Sequence, residues 1–216
     1  MKILCCCVKT SLFTGSELYF YELSDALKQL GHEITLASTE VSKVFQDKCD
    51  FRICHLSEIT EFNFDLVILS QYSDTFKFIE QKIGNTPIIN VVHSELYENE
   101  SPLLHKNVIK YVGIRPTICE NIKKILDCDK RIQLIRNPIN LEKFNTKNTS
   151  NKIFGLFVGT MGGVRYKAAL HFSQFCKANN LQSVYISAEN FHVPFFDICL
   201  PSCANIEDRK STRLNS

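Results

Sequence analysis

The sequence predicts an α/β protein whose parallel β-strands are joined by helical crossovers, organised as two successive units. Three observations carry this expectation. Apolar runs of strand length alternate with helical patterns from the start of the chain, and that alternation implies parallel pairing through crossover helices. The first run, Ile3–Val8, is continuously apolar, as a strand covered on both faces is. A polar, Asn/Thr/Lys-rich stretch at Glu142–Lys152 reads as a linker, and beyond it the strand-helix pattern restarts. At 216 residues, 44% hydrophobic and 22% charged, the composition is that of a globular protein. Its longest apolar runs fall well short of the roughly 20 residues that cross a bilayer. Lys2 leads directly into a strand-like run, which is not the pattern of a secretory leader.

The elements follow in order. Lys2–Val8 is a strand, and the turn around Thr14 and Gly15 leads into a helix. There Leu23, Ala26, Leu27 and Leu30 recur at i, i+3, i+4 and i+7, the stripe of a core-facing helix, and Gly31 is placed to end it. His32–Ser38 closes this first βαβ unit. Further strands are expected at Phe51–Cys54, Phe64–Ser70, Pro87–His93, Val108–Val112 and Ile132–Ile135, with helices at Asp74–Lys82 and Thr117–Leu126; Pro116 suits the entrance of the latter. After the linker come a strand at Ile153–Val158, a glycine-containing turn at Gly159–Gly163, a helix at Arg165–Ala178 and a strand at Gln182–Ser187.

Charge and cysteine usage narrow the function classes. The net charge of +2 is too small to imply a nucleic-acid partner. Residues 106–152 nevertheless hold 11 Lys/Arg against 4 Asp/Glu, which is either a solvated basic face or an attraction for anionic substrates or membrane surfaces. The ten cysteines include the consecutive Cys5, Cys6 and Cys7, whose side chains alternate across a strand and cannot readily pair with one another. No CxxC pair or Cys/His ligand spacing occurs, so a metal is not expected. Buried thiols in a reducing, cytoplasmic setting are the reading.

Three turns carry candidate chemistry. Thr14-Gly15-Ser16-Glu17 follows the first strand and opens the first helix, where small residues and free N–H groups suit an anion; plain helix capping is the competing reading, and GxGxxG is absent. His93 ends an apolar run, where a histidine can exchange a proton near neutral pH or simply pack. Gly159–Lys167 is a glycine-containing strand-to-helix turn in which Arg165 and Lys167 suit a diphosphate, although its spacing is not that of a P-loop.

Together these turns resemble the GT-B glycosyltransferases of family 4 over roughly residues 1–190. Thr14–Glu17 followed by Tyr21–Thr35 is similar to that family's first loop, helix and "GHEVT" strand. Ile135–Phe144 resembles its "PNGVDLERF" hinge, and Phe157–Thr160 the "FVGR" opening of its donor domain. The resemblance implies two Rossmann-like domains: an acceptor-side domain at 1–140, a hinge at 141–152 and an incomplete donor-binding domain at 153–207. It implies transfer of a hexose from a nucleotide sugar to the hydroxyl of a saccharide or lipid-linked acceptor. That transfer commonly retains anomeric configuration, needs no metal or other cofactor, and takes place in the cytoplasm or peripherally at the inner face of a membrane. His93 would be the active-site histidine, Gly15, Arg165 and Lys167 would lie at the donor phosphates, and Thr14, Ser16 and Glu17 would form the acceptor-side loop. Thr160 stands where the family usually has arginine, and the family's later acidic donor motif has no counterpart here.

Residues 208–216 resemble a reading frame of a sequencing adapter, so the chain is expected to be a truncated fragment, inactive by itself. Two other functions fit the same residues: a noncatalytic module binding an anionic saccharide or lipid through the basic 106–152 stretch, and a GT-B-like nucleotide-sugar epimerase.

Overall fold

The computed structural model describes residues 1–10, 15–47, 49–70, 75–95, 100–127, 131–137, 154–158, 164–187 and 193–201. The chain divides into two compact units, Met1–Ile139 and Asn140–Ser216. The first contains β1 (Lys2–Thr10), α1 (Gly15–Gln29), β2 (Glu33–Val41), α2 (Lys43–Gln46), β3 (Arg52–His55), β4 (Leu66–Leu69), β5 (Ile88–Val92), β6 (Val108–Gly113), α3 (Pro116–Leu126) and β7 (Ile132–Leu134). Its seven strands are all parallel, in the order β3-β2-β1-β4-β5-β6-β7. The chain therefore builds outward from β1 to β3, returns past β1 to β4, and builds in the other direction.

The pleat of β1 explains its unbroken apolar run. Ile3, Cys5 and Cys7 pack with Tyr19 and Phe20 of α1, while Leu4 and Cys6 face an opposite core that includes Leu69, Ile79 and Ile118. Both faces are covered, so neither set of side chains can be polar. The described cysteines are free thiols, and burial pushes Cys5 up to about 12 and Cys6 well above the ordinary thiol range, which keeps both protonated.

β1 and β2 run further than their apolar patterns suggest because polar groups continue the pairing. Thr10 Oγ1 and Ser38 Oγ share a hydrogen bond of 2.9 Å, and Lys9 meets Glu40 at 2.9 Å. Gly31, with φ +85°, ends α1 as expected: its N–H donates to Lys28 O, and that of His32 to Leu27 O. Pro116 opens α3 in its first turn.

Of the helix expected at Asp74–Lys82, the described residues 76–82 are not α-helical, and Asp74 lies outside the described residues. A 3-10 turn at Phe76–Phe78 stands there; Ile79 and Glu80 N–H both donate to Phe76 O, and Lys82 and Ile83 both donate to Ile79 O. Two tight turns thus present Phe76, Ile79 and Ile83 to the core, and Gly84 at φ +54° redirects the chain toward β5. The short α2 has no sequence forecast.

Gly113 is required by close packing. A Cβ there would meet Cys119 Sγ at 2.6 Å and the Cys119 backbone N at 3.1 Å. Gly113→Ala is expected to cost about 1–3 kcal/mol through overpacking, read as a lower urea midpoint at unchanged m-value; an unchanged midpoint would show that α3 can back away from β6.

The second unit contains β8 (Phe154–Val158), α4 (Val164–Ala178), β9 (Gln182–Ser187) and β10 (Ile198–Pro201), with parallel strands in the order β10-β9-β8. β9 matches its forecast, whereas β10 has none. The core is aromatic: Tyr185 stacks on Phe196 at 5.2 Å, over Ala169 and Val193. Ser183 N–H and Oγ each donate to Asp197 Oδ2 at 2.7 Å, fixing the entry to β10, and these bonds hold the Asp197 carboxyl below its usual range. The glycine turn 159–163, the linker 142–152 and residues 202–216 lie outside the described residues.

Candidate functional site

In a parallel sheet whose order reverses, ligands bind outside the carboxyl ends of the strands at the reversal. Here that point lies between β1 and β4, and α1 begins beside it. Gly15, the first residue of α1, is exposed; among the described residues a Cβ there would meet nothing within 4 Å, so none of them crowds it. Ser16 is half-buried, and Glu17 is buried at 4% exposure. A carboxylate in the first turn suits the positive end of the helix. Its negative charge, after burial itself, adds to the upward push on the Cys7 thiol at the end of β1. Thr14 lies outside the described residues.

His93 directly follows β5 and is 8% exposed. Tyr19 meets its ring edge-on at 4.6 Å and Phe20 lies at 6.0 Å, so two neighbouring residues of α1 wall the imidazole. Its backbone N–H donates to Glu100 Oε2 at 3.0 Å, while Nε2 is buried without a hydrogen-bond partner. Burial pushes the imidazole pKa down to about 4. At neutral pH His93 is therefore an uncharged group offering one ring nitrogen as donor or acceptor, suited to a ligand hydroxyl.

The segment after His93 is pinned from two strands. Asn90 Oδ1 accepts from Leu103 N–H at 2.8 Å, and its Nδ2 donates to Leu69 O at 3.2 Å. Tyr111 OH donates to Leu103 O at 2.8 Å. Ser70, fully buried just after β4, also has an unpartnered hydroxyl. These residues escaped the sequence reading, although Asn90 did leave a signal: a polar side chain inside Ile88–Val92 must find partners when buried.

Glu17 shares α1 with Tyr19 and Phe20, the two residues that pack on His93. Arg165 and Lys167 belong to the second unit, exposed in the first turn of α4. Positions two apart on a helix lie on different faces, so α4 does not itself converge the two cations. Thr160 lies outside the described residues. Among the described residues there is no group of three His, Cys, Asp or Glu side chains able to hold a metal, and no helix is long and apolar enough to cross a membrane.

The basic stretch resolves into distinct settings. Arg131 is half-buried; it donates to Val108 O at 3.0 Å and lies over the Tyr111 ring, a structural role. Lys123 and Lys124 are exposed at the end of α3. Arg115 and Arg136 instead line one open depression of about 480 Å³ with Ile114, Pro116 and Asn137.

No protein-family model matches the sequence, and no curated protein matches it. Solved structures do match the fold. A glycosyltransferase from Rickettsia africae superposes with a TM-score of 0.68 at 14% identity, covering 96% of this chain and 69% of that one. Anabaena HepE, solved with UDP-glucose, gives 0.64 at 10% identity, covering 100% and 66%. An α-glucosyltransferase solved with UDP and a 13-mer DNA gives 0.65 at 12% identity, covering 99% and 70%. The fold is that of the GT-B glycosyltransferases, and this chain spans about two thirds of the length of the structures it matches.

Proposed function

We propose that this chain serves a glycosyltransferase reaction, moving a hexose from a nucleotide sugar to an acceptor hydroxyl. The observation that carries the reading is His93: an uncharged, aromatic-walled imidazole with an unpartnered Nε2 at the carboxyl edge of a parallel sheet. The fold it shares with enzymes solved with UDP-glucose or UDP supports a donor of that type. In the reaction the bond from the anomeric carbon to the diphosphate breaks while the acceptor oxygen bonds to that carbon. The nucleoside diphosphate leaves with the electron pair, and the acceptor's hydroxyl proton passes to its departing phosphate oxygen.

His93 Nε2 hydrogen-bonds a sugar hydroxyl near the reacting carbon, and the Tyr19 and Phe20 rings exclude water from it. Arg165 and Lys167 lie on different faces of α4, so one of them, with the α4 N-terminus, stabilises the departing phosphates, and Gly15 leaves room for the ligand beside α1. Ser16 and Glu17, with Thr14, offer hydroxyl and carboxylate contacts to the acceptor. We read the transfer as metal-free and as taking place in the cytoplasm or at a membrane's inner face. The acceptor is read as a saccharide or a lipid-linked sugar, although the neighbour solved with DNA makes a nucleic-acid acceptor the alternative to test. Because the matched structures are about half as long again, turnover is assigned to a chain of their length, and the 216-residue chain is expected to bind without transferring.

The test is ligand-observed NMR with UDP-glucose on the 216-residue chain. Saturation transfer to the glucose protons is expected, and His93→Phe, which keeps the ring volume but removes both nitrogens, is expected to weaken binding about tenfold, the worth of one hydrogen bond. Equal binding by the variant, or none by the original chain, would overturn the reading; sugar transfer by the original chain would overturn its expected inactivity.

A further inference from the structure

The surplus of positive charge between residues 106 and 152 has no role in the reaction as described, and two of its arginines line one depression just beyond the ends of β6 and β7. Gly113 of β6 pairs level with Leu134 of β7, and Ile135 N–H donates to Gly113 O at 3.1 Å. Arg115 and Arg136 each lie two residues beyond that registered pair. Both strands end at that pair, with a bend after Gly113 and irregular chain after Leu134, so both arginines stand just beyond the carboxyl edge of the sheet, where α/β folds bind ligands. Both are exposed, and both line the same depression of about 480 Å³.

The surroundings define what the pair can hold. Arg115 is extended at φ −140° and ψ 153° and makes no side-chain hydrogen bond to the start of α3, so its guanidinium is not used as a cap. Neither arginine forms an ion pair among the described residues. The nearby Glu95 is engaged by Thr117 Oγ1 at 2.5 Å, on the second residue of α3. Ile114 and Pro116 make one wall apolar, and Leu134 and Ile135, which precede Arg136, are exposed at 42% and 43%. Two planar cations beside an apolar wall match a phosphate oxygen cluster, which guanidinium groups bind in a bidentate manner, better than a neutral sugar.

We infer that Arg115 and Arg136 form a binding site for a phosphate monoester or diphosphate, the group carried by the acceptor in the transfer proposed above. Phosphate binding stands on the geometry alone; only its assignment to the acceptor rests on the glycosyltransferase reading. Such a site selects an anionic acceptor and holds its phosphate just beyond the edge of β6 and β7.

The probe is inorganic pyrophosphate titrated calorimetrically into the 216-residue chain at low and at physiological salt. Arg115→Gln and Arg136→Gln are each expected to weaken binding about tenfold, with melting temperatures unchanged because both side chains are exposed. The double substitution Lys123→Gln/Lys124→Gln, at the other end of α3, is expected to leave binding unchanged. A second arm uses vesicles of phosphatidylcholine with and without phosphatidic acid. Arginine-dependent binding to pyrophosphate and to phosphatidic acid vesicles identifies a lipid-borne phosphate; arginine-dependent binding to pyrophosphate alone identifies a soluble one. No pyrophosphate binding, binding indifferent to both arginines, or an equal loss in the lysine variant would overturn the site. A failed UDP-glucose experiment with intact, arginine-dependent pyrophosphate binding would remove only the acceptor assignment.

Discussion

Phe20→Ala is expected to remove about 3–5 kcal/mol from the stability of the first unit, the range for truncating a fully buried aromatic. Phe20 is 0% exposed and sits with Ile3, Cys5, Leu36 and Val91 in the core between α1 and the sheet, with the Tyr19 ring edge-on at 5.5 Å. Because those neighbours belong to β1, β2 and β5, a cavity at Phe20 loosens α1 from three strands at once. Phe20→Leu, which refills most of the volume, is expected to cost only about 1 kcal/mol. Urea unfolding followed by circular dichroism reads both as shifts in midpoint. A loss below about 1 kcal/mol for the alanine variant would show that α1 is held mainly by other contacts. The same truncation opens one wall of the His93 site, so ligand binding should fall with it.

The forecasts that held and those that failed have a common physical origin. β1, α1 and β9 were legible because each repeats one period over a whole element and packs against neighbours that need that period. Phe76, Ile79 and Ile83 repeat at helical spacing too, yet two consecutive tight turns place the same three side chains in the core. Spacing alone does not separate those arrangements. His93 was visible because a histidine closing an apolar strand is locally unusual. Its surroundings were not, since Tyr19 and Phe20 reach it from a helix more than seventy residues earlier in the sequence and Glu100 from the following segment. Arg165 and Lys167 show the converse. Sequence proximity suggested joint action, whereas a helix sends positions two apart to different faces. Arg115 and Arg136, far apart in sequence, line one depression just beyond the paired ends of β6 and β7.

Lowering the pH from 6.5 to 4 is expected to cost the first unit about 3 kcal/mol through His93 alone. In the unfolded chain an imidazole takes up its proton near pH 6.5, whereas in the folded protein burial holds it neutral down to about pH 4. Between those values the unfolded state binds the extra proton, so stability rises with pH. The contribution is fully present above 6.5 and is lost as the pH falls through 4. The groups around the ring are Tyr19, whose hydroxyl burial pushes up so that it stays neutral in this window, and the Glu100 carboxylate, which accepts from the His93 backbone N–H. His93→Phe should abolish this slope while keeping, or slightly raising, stability at pH 7.5, because it also removes a buried nitrogen without a partner. Urea midpoints of both proteins from pH 7.5 to 4 read the difference, in which carboxylates common to the two cancel. Parallel curves, or an imidazole NMR titration midpoint above pH 6, would show that water reaches the ring. The expected result has a functional corollary: an imidazole neutral throughout this range makes its contact with a ligand hydroxyl insensitive to pH between 8 and about 5, so any pH dependence of sugar binding there would have to come from other groups.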